Sequence, residues 1–314
     1  MRPRALGKLD RDNPMTHPPA SRKANQGYIL ITLVSVLFGG LGILQKLSFA
    51  YGIQPDTLIG LRVLISSTTL LFLLALFRRA SLRIKRSDIP SLLGIGVIGV
   101  AFERVSYSYS VYLTTATMAA ILYYMYPVFV TIIASIKLKE KITHKEILAI
   151  ALAIVGVALV VKVYDPSAFS ANLLGILLGL GAGVGFVFYF LLTQKLRTRY
   201  AAWTLTAFGD GVAALLLLPA VYVSLPQMAY YPWQLWVLIF AIAWILSLFA
   251  YVIYSYALKY VKASKGSVLS VLEPLSAAIY SAVLLGEALQ PLQILGIALS
   301  LTGVILLFRL GKSI

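Results

Sequence analysis

The sequence predicts an all-α membrane protein of ten transmembrane helices, built as two inverted five-helix repeats. Three observations point there. Of the 314 residues, 60% are hydrophobic and 12% are charged, with a mean hydropathy of +0.89. No water-soluble domain needs that much apolar surface. Lys and Arg gather in every second loop, which is how a chain records its orientation in a bilayer. The chain also repeats itself. Shifted by 147, residues 109–161 lie on 256–308 without a gap, and 15 of the 53 positions are identical, among them Tyr109/Tyr256, Pro127/Pro274, Glu140/Glu287 and Gly156/Gly303. Gln45-Lys46-Leu47 is echoed by Gln194-Lys195-Leu196. An odd number of spans per repeat inserts the second copy upside down, an architecture suited to alternating access about a central site.

In chain order, residues 1–27 are polar, contain Pro and carry Arg2, Arg4, Lys8, Arg11, Arg22 and Lys23. This reads as a disordered cytoplasmic tail in reach of anionic lipid, with Met15 as a second candidate start. No cleavable signal is evident, and the apolar run from Tyr28 is long enough to stay as a helix. Ten apolar spans follow, at about 28–49, 57–77, 89–111, 115–136, 145–163, 172–193, 203–223, 233–257, 263–285 and 291–309. The first repeat is 28–163 and the second 172–309. Counting Lys and Arg gives six in the tail, then five, four, three, three and two in alternate loops and the C-terminus, against Lys162 alone in the other loops. Both termini are therefore expected in the cytoplasm of a multi-pass protein of the cell (inner) membrane.

Several classes drop out. The net charge of +16 is spread over loops as a topology signal and forms no nucleic-acid face. There is no Cys, and His17 and His144 lie in the tail and a loop, so no metal or cofactor is expected. Ala207-Phe208-Gly209-Asp210 and Tyr164-Asp165 loosely resemble the aspartates of intramembrane proteases, but their depths differ too much for a shared proton. With no H-E-x-x-H and no G-x-S-x-G, the chain is not expected to be an enzyme.

Arg62-Val63-Leu64, Tyr123-Tyr124-Met125-Tyr126-Pro127 with Lys139-Glu140-Lys141, and Leu272-Glu273-Pro274 with Leu285-Gly286-Glu287 resemble the two repeat signatures of EamA-type transporters of the drug/metabolite transporter superfamily. Lys139 stands where the second half has Gly286. The resemblance spans roughly residues 28–310. It implies ten helices around a central cavity, with the fifth and tenth peripheral, and export or exchange of small metabolites, often amino acids.

Six ionisable side chains fall inside the spans: Lys46, Arg62, Glu103, Arg104, Asp210 and Glu273. A charge in hydrocarbon must pair, neutralise or face a wet cavity. Glu273 sits about 15 Å from the cytoplasmic end of its span, near the midplane, beside Pro274. Pro274 removes a hydrogen bond to the carbonyl of Ser270, as Pro127 does in the first repeat, so both are expected helix kinks. Glu273 is the leading candidate for binding substrate and for coupling to protons. By the same rise, Glu103 lies about 13 Å and Arg62 about 8 Å from the outer face, close enough in depth to pair, whereas Asp210 is about 10 Å from the inner face. Glu103 and Arg104 point about 100° apart. Arg104 is a candidate clamp for a substrate carboxylate; a structural ion pair is the alternative. Lys46 is expected to snorkel at an outer helix end.

Tyr107, Tyr109, Tyr254 and Tyr256 correspond under the shift, and Tyr123, Tyr126, Tyr251 and Trp244 join them as candidate lining. A tyrosine-rich wall suits aromatic amino acids by stacking, or organic cations by cation–π attraction. Packing and interfacial belts also use aromatics, and Tyr222, Tyr230, Tyr231, Trp233 and Trp236 read as such a belt. Gly175, Gly179 and Gly183 make a smooth stripe for close helix contact. The expected function is a secondary carrier of a small-molecule substrate within the lipid bilayer, most plainly amino acids including aromatic ones. The alternative is a choline- or drug-type organic-cation carrier of the same fold.

Overall fold

A computed structural model describes residues 20–126, 128–129, 143–160, 162–166, 172–196, 199–250, 253, 257 and 272–310. Among the described residues every regular element is helical. Helix α1 (Ala20–Gly39) and helix α2 (Leu41–Phe49) are separated by one turn residue, Gly40. Helix α3 (Pro55–Phe77) opens on a proline, whose missing N–H is no loss in a first turn. Helix α4 (Ile89–Gly94) runs through a π-helical stretch (Ile95–Phe102) into α5 (Glu103–Leu113). Helix α6 (Ala116–Tyr123) is capped by Thr115, whose hydroxyl accepts from the Met118 amide at 3.0 Å.

The second half follows the same plan. Helix α7 (His144–Val160) closes the first repeat, and α8 (Leu173–Leu196) and α9 (Ala202–Met228) open the second. Helix α10 (Trp233–Phe240) continues as a second π-helical stretch (Ala241–Phe249), and α11 (Leu272–Leu284) and α12 (Pro291–Leu310) finish the chain. Among the described residues, five helical stretches are long and apolar enough to cross a bilayer, and four more apolar helices are shorter. The chain is a multi-pass membrane protein. The second half of the fourth predicted span and the start of the ninth lie outside the described residues.

The 147-residue shift is visible in the packing. Helices α7 and α12 approach through glycines. A Cβ on Gly156 would stand 2.3 Å from the Ser300 nitrogen and 2.5 Å from the Gly296 oxygen. A Cβ on Gly303 would stand 2.6 Å from the Ala153 nitrogen and 2.5 Å from the Ala149 oxygen. Exchanging the repeats turns the first pair of contacts into the second, since 156 corresponds to 303, 300 to 153 and 296 to 149. Lipid supplies no hydrophobic drive between helices, so close backbone packing at small residues holds them together. The two π-helical stretches, Ile95–Phe102 and Ala241–Phe249, also fall within a residue of each other under the shift.

The expected kinks are partly described. Pro127 lies outside the described residues, but α6 loosens just before it. The amides of Met125 and Val128 donate three residues back, to Leu122 (3.1 Å) and Met125 (2.9 Å). Pro274 stands in the first turn of α11 as described, with residues 258–271 before it outside the described set. Gly175, Gly179 and Gly183 of α8 do form a contact stripe, against Thr114, against Ser110 and Leu122, and against the Tyr123 carbonyl in turn.

Candidate functional site

The residue types that are costly in lipid converge on one place. Glu273, in the first turn of α11, accepts a hydrogen bond from the Tyr124 hydroxyl at 2.6 Å. Its backbone is pressed against α1, where a Cβ on Gly39 would come within 2.8 Å of the Glu273 carbonyl oxygen. Tyr124 belongs to a knot of rings. The Tyr123 ring meets Tyr107 at 5.5 Å, Tyr124 at 5.8 Å, Tyr126 at 6.1 Å and Phe186 at 5.4 Å between centroids. Phe186 adds Tyr126 at 4.7 Å and Tyr189 at 5.9 Å. Most of these pairs are tilted or edge-on, the geometry in which a ring's positive edge meets its neighbour's negative face. Glu103 reaches the same knot. It stands beside Tyr123 and within electrostatic range of Glu273. Two carboxylates thus meet six rings, and Tyr124 holds one of them by its hydroxyl.

The basic residues take other positions. Arg104, 6% exposed, places Nη1 2.9 Å from Oδ1 of the fully buried Asp210. Oδ2 of that aspartate accepts from Ser66 at 2.8 Å. Depth made Asp210 a poor partner for Arg62, and its ion pair is with Arg104 instead. A long guanidinium stem bridges a depth difference that rise per residue treats as a barrier. Arg104 also lies 3.9 Å from Glu103, so it is an element of a buried network and is engaged before any substrate carboxylate arrives. Arg62 donates from Nε to Ser247 at 2.7 Å and acts on Glu103 and Tyr107 through its charge. Lys46 reaches toward an outer helix end. Its ammonium donates to the Val111 carbonyl (3.1 Å) and the Thr114 carbonyl (2.6 Å), closing the C-terminal end of α5.

Of the predicted lining residues, the structure gathers Glu273, Glu103, Tyr107, Tyr123 and Tyr126. Arg104 is one helix position away, turned to Asp210. Trp244 is elsewhere: 41% exposed, it donates to Thr69 at 3.2 Å and packs on Phe240 at 4.8 Å. Tyr254, with Tyr251 and Tyr256, lies outside the described residues. Tyr222, Tyr230 and Trp233 are strongly exposed, in keeping with a belt, whereas Tyr231 and Trp236 pack against the cluster of Leu235 and Ile239. Sequence reading missed Tyr124, Phe186 and Tyr189. Tyr124 stood in plain view inside Tyr123-Tyr124-Met125-Tyr126. Phe186 follows Gly183 by three residues and continues the α8 stripe, so helical spacing marked it.

With this geometry in hand, comparison with known proteins assigns the class. The EamA-like transporter family matches residues 25–162 and again residues 173–309, and the chain belongs to that family. Its relatives carry the same class. An uncharacterized transporter of Archaeoglobus fulgidus is 29% identical over 70% of this chain and 76% of its own length. One of Clostridium kluyveri is 24% identical over 91% of this chain and 94% of its own. The pseudopaline exporter CntI of Pseudomonas aeruginosa is 26% identical over 62% of this chain and 66% of its own. A solved crystal structure superimposes with a TM-score of 0.60 at 15% identity, covering 90% of this chain and 96% of the other, which shows a shared fold.

Proposed function

We propose that this transporter is a secondary carrier that moves a small amine-bearing metabolite across the cell (inner) membrane by alternating access. It would do so with ten spans in two inverted repeats and both termini in the cytoplasm. The inverted arrangement is supported by contacts that map onto themselves under the 147-residue shift. The orientation is supported by basic side chains at one end, where Arg83, Lys85 and Arg199 border a cavity of about 480 Å³.

One observation carries the substrate class: Glu273 and Glu103 meet a knot of aromatic rings while Arg104 is engaged by Asp210. Carboxylates with π faces attract an ammonium or quaternary amine. An amino-acid reading keeps a specific foothold in Arg62, buried and within electrostatic range of Glu103 and Tyr107, as the group that would take a substrate carboxylate. Glu273 is then the coupling candidate, exchanging its own charge against the substrate's.

Counterflow in proteoliposomes with phenethylamine, choline and phenylalanine separates these readings. Exchange of phenethylamine or choline without phenylalanine is the expected result. Phenylalanine exchange that disappears in Arg62→Met selects the amino-acid reading. Glu273→Gln should slow exchange about a hundredfold, the weight of a charge-assisted contact of about 2–3 kcal/mol. Wild-type exchange in Glu273→Gln refutes the assignment of that residue.

A further inference from the structure

A second group of polar side chains has no role in the site above. Gln45 of α2 is fully buried, and among the described residues neither atom of its amide has a hydrogen-bond partner. The hydroxyls of Ser108 and Ser110 of α5, Thr117 of α6 and Ser281 of α11 are likewise buried and without a hydrogen-bond partner among the described residues. Buried polar groups are normally satisfied, so a set of orphans in one region asks for a cause. These share a depth. Each lies within about 8 Å of the helix end that faces away from the basic loops, at 1.5 Å per residue. Their helices touch one another: α2 meets α5, α6 and α11, and α6 meets α5 and α11.

A cavity opens onto the same end. It has a volume of about 190 Å³ and is bordered by Thr114, Thr115, Met118, Lys162, Glu287 and Gln293, among others. Thr115 and Met118 flank Thr117 in sequence, and the Thr114 hydroxyl donates to the Ser110 carbonyl at 2.6 Å. The Glu287 Oε2 is buried and has no hydrogen-bond partner among the described residues either. From below, Tyr107 connects this layer to the ring knot. Its hydroxyl would stand 3.3 Å from a Cβ on Gly42, one turn before Gln45.

We infer that this layer and the cavity above it form a second, exit-side solute site, which takes the uncharged hydrogen-bonding groups of the transported molecule after it passes Tyr107. The inference rests on the carrier reading. Its logic is that donors and acceptors unmet among the described residues are met by solute and water when the cavity admits them. Amide and hydroxyl groups offer both donors and acceptors, so the site favours polar solutes of either hydrogen-bonding sense over apolar ones.

The chain has no native cysteine, which makes the test direct. Gln45→Cys and Ser281→Cys are compared with Ala119→Cys, an apolar and fully buried position on α6. Each is treated in intact cells with a membrane-impermeant maleimide. Labelling of Gln45→Cys and Ser281→Cys at least tenfold faster than Ala119→Cys is expected. Equal rates, in variants that label fully once denatured, overturn the inference. Melting of Gln45→Leu gives an independent readout. Removing an amide that is unmet in the closed form should raise the melting temperature by a few degrees, whereas a fall shows that the amide is already satisfied there and overturns the inference. Neither readout needs an identified solute. A cysteine result can therefore fail while counterflow by the parent protein upholds the carrier reading, which keeps the two failures apart.

Discussion

The two repeats are alike at their edge and unlike at their centre. Where α7 meets α12, Gly156 against Ser300 is matched by Gly303 against Ala153, atom class for atom class. At the centre the same shift lays Tyr126 on Glu273, each followed by a proline. Both side chains end up near Tyr124, one as a ring at 5.8 Å and the other as a carboxylate at 2.6 Å. The edge has to pack in either orientation, and the symmetry of the backbone suffices for it. On the proposed carrier reading the centre would bind a solute that is not symmetric, which accounts for different chemistry at equivalent positions there.

Breaking the central network should have the largest effect. Arg104→Ala leaves Asp210 buried without its cation and is expected to cost about 3–5 kcal/mol, read as a loss of thermal stability in detergent. The double variant Arg104→Met/Asp210→Leu should recover most of that loss. Failure to recover would mean that Arg104 serves more than the pair. The edge tests the symmetry itself. Gly156→Leu and Gly303→Leu each force a side chain into backbone atoms, and each should cost about 1–3 kcal/mol. The two penalties should agree within about 0.5 kcal/mol, the scatter expected of independent equivalent sites. A large difference would show that the repeats are equivalent in sequence only. Smallest is Tyr124→Phe, which removes one hydrogen bond from Glu273 and should weaken substrate affinity by about 1 kcal/mol, or roughly fivefold, in a binding titration.

Much of this was legible from residues alone. An 18-residue apolar run names itself, and the 147-residue shift was already present in fifteen identities, so the packing of Gly156 and Gly303 follows from their pairing. Glu273 was legible because a carboxylate in an apolar run has few innocent explanations. The Arg104–Asp210 pair was not. Depth counting assumes straight helices at a fixed rise, whereas α5 is preceded by eight π-helical residues and α9, at 27 residues, is longer than the hydrocarbon is thick and must tilt or protrude. Side-chain length then makes up the remaining distance. Trp244 was misplaced for a different reason: aromatic periodicity cannot tell a ring that faces a neighbouring helix from one that faces lipid.

Each repeat carries one π-helical stretch among the described residues. In an i→i+5 turn the helix holds slack, as a rope does with a loop coiled into it. Ile95–Phe102 ends one residue before Glu103, and Ala241–Phe249 occupies the matching place in the other repeat. Taking up that slack at one end and letting it out at the other turns the following segment about its own axis while its hydrogen-bond ladder stays closed. In the first repeat the segment so turned carries Glu103 and Tyr107, so the slack held in Ile95–Phe102 would set how those two side chains face the ring knot.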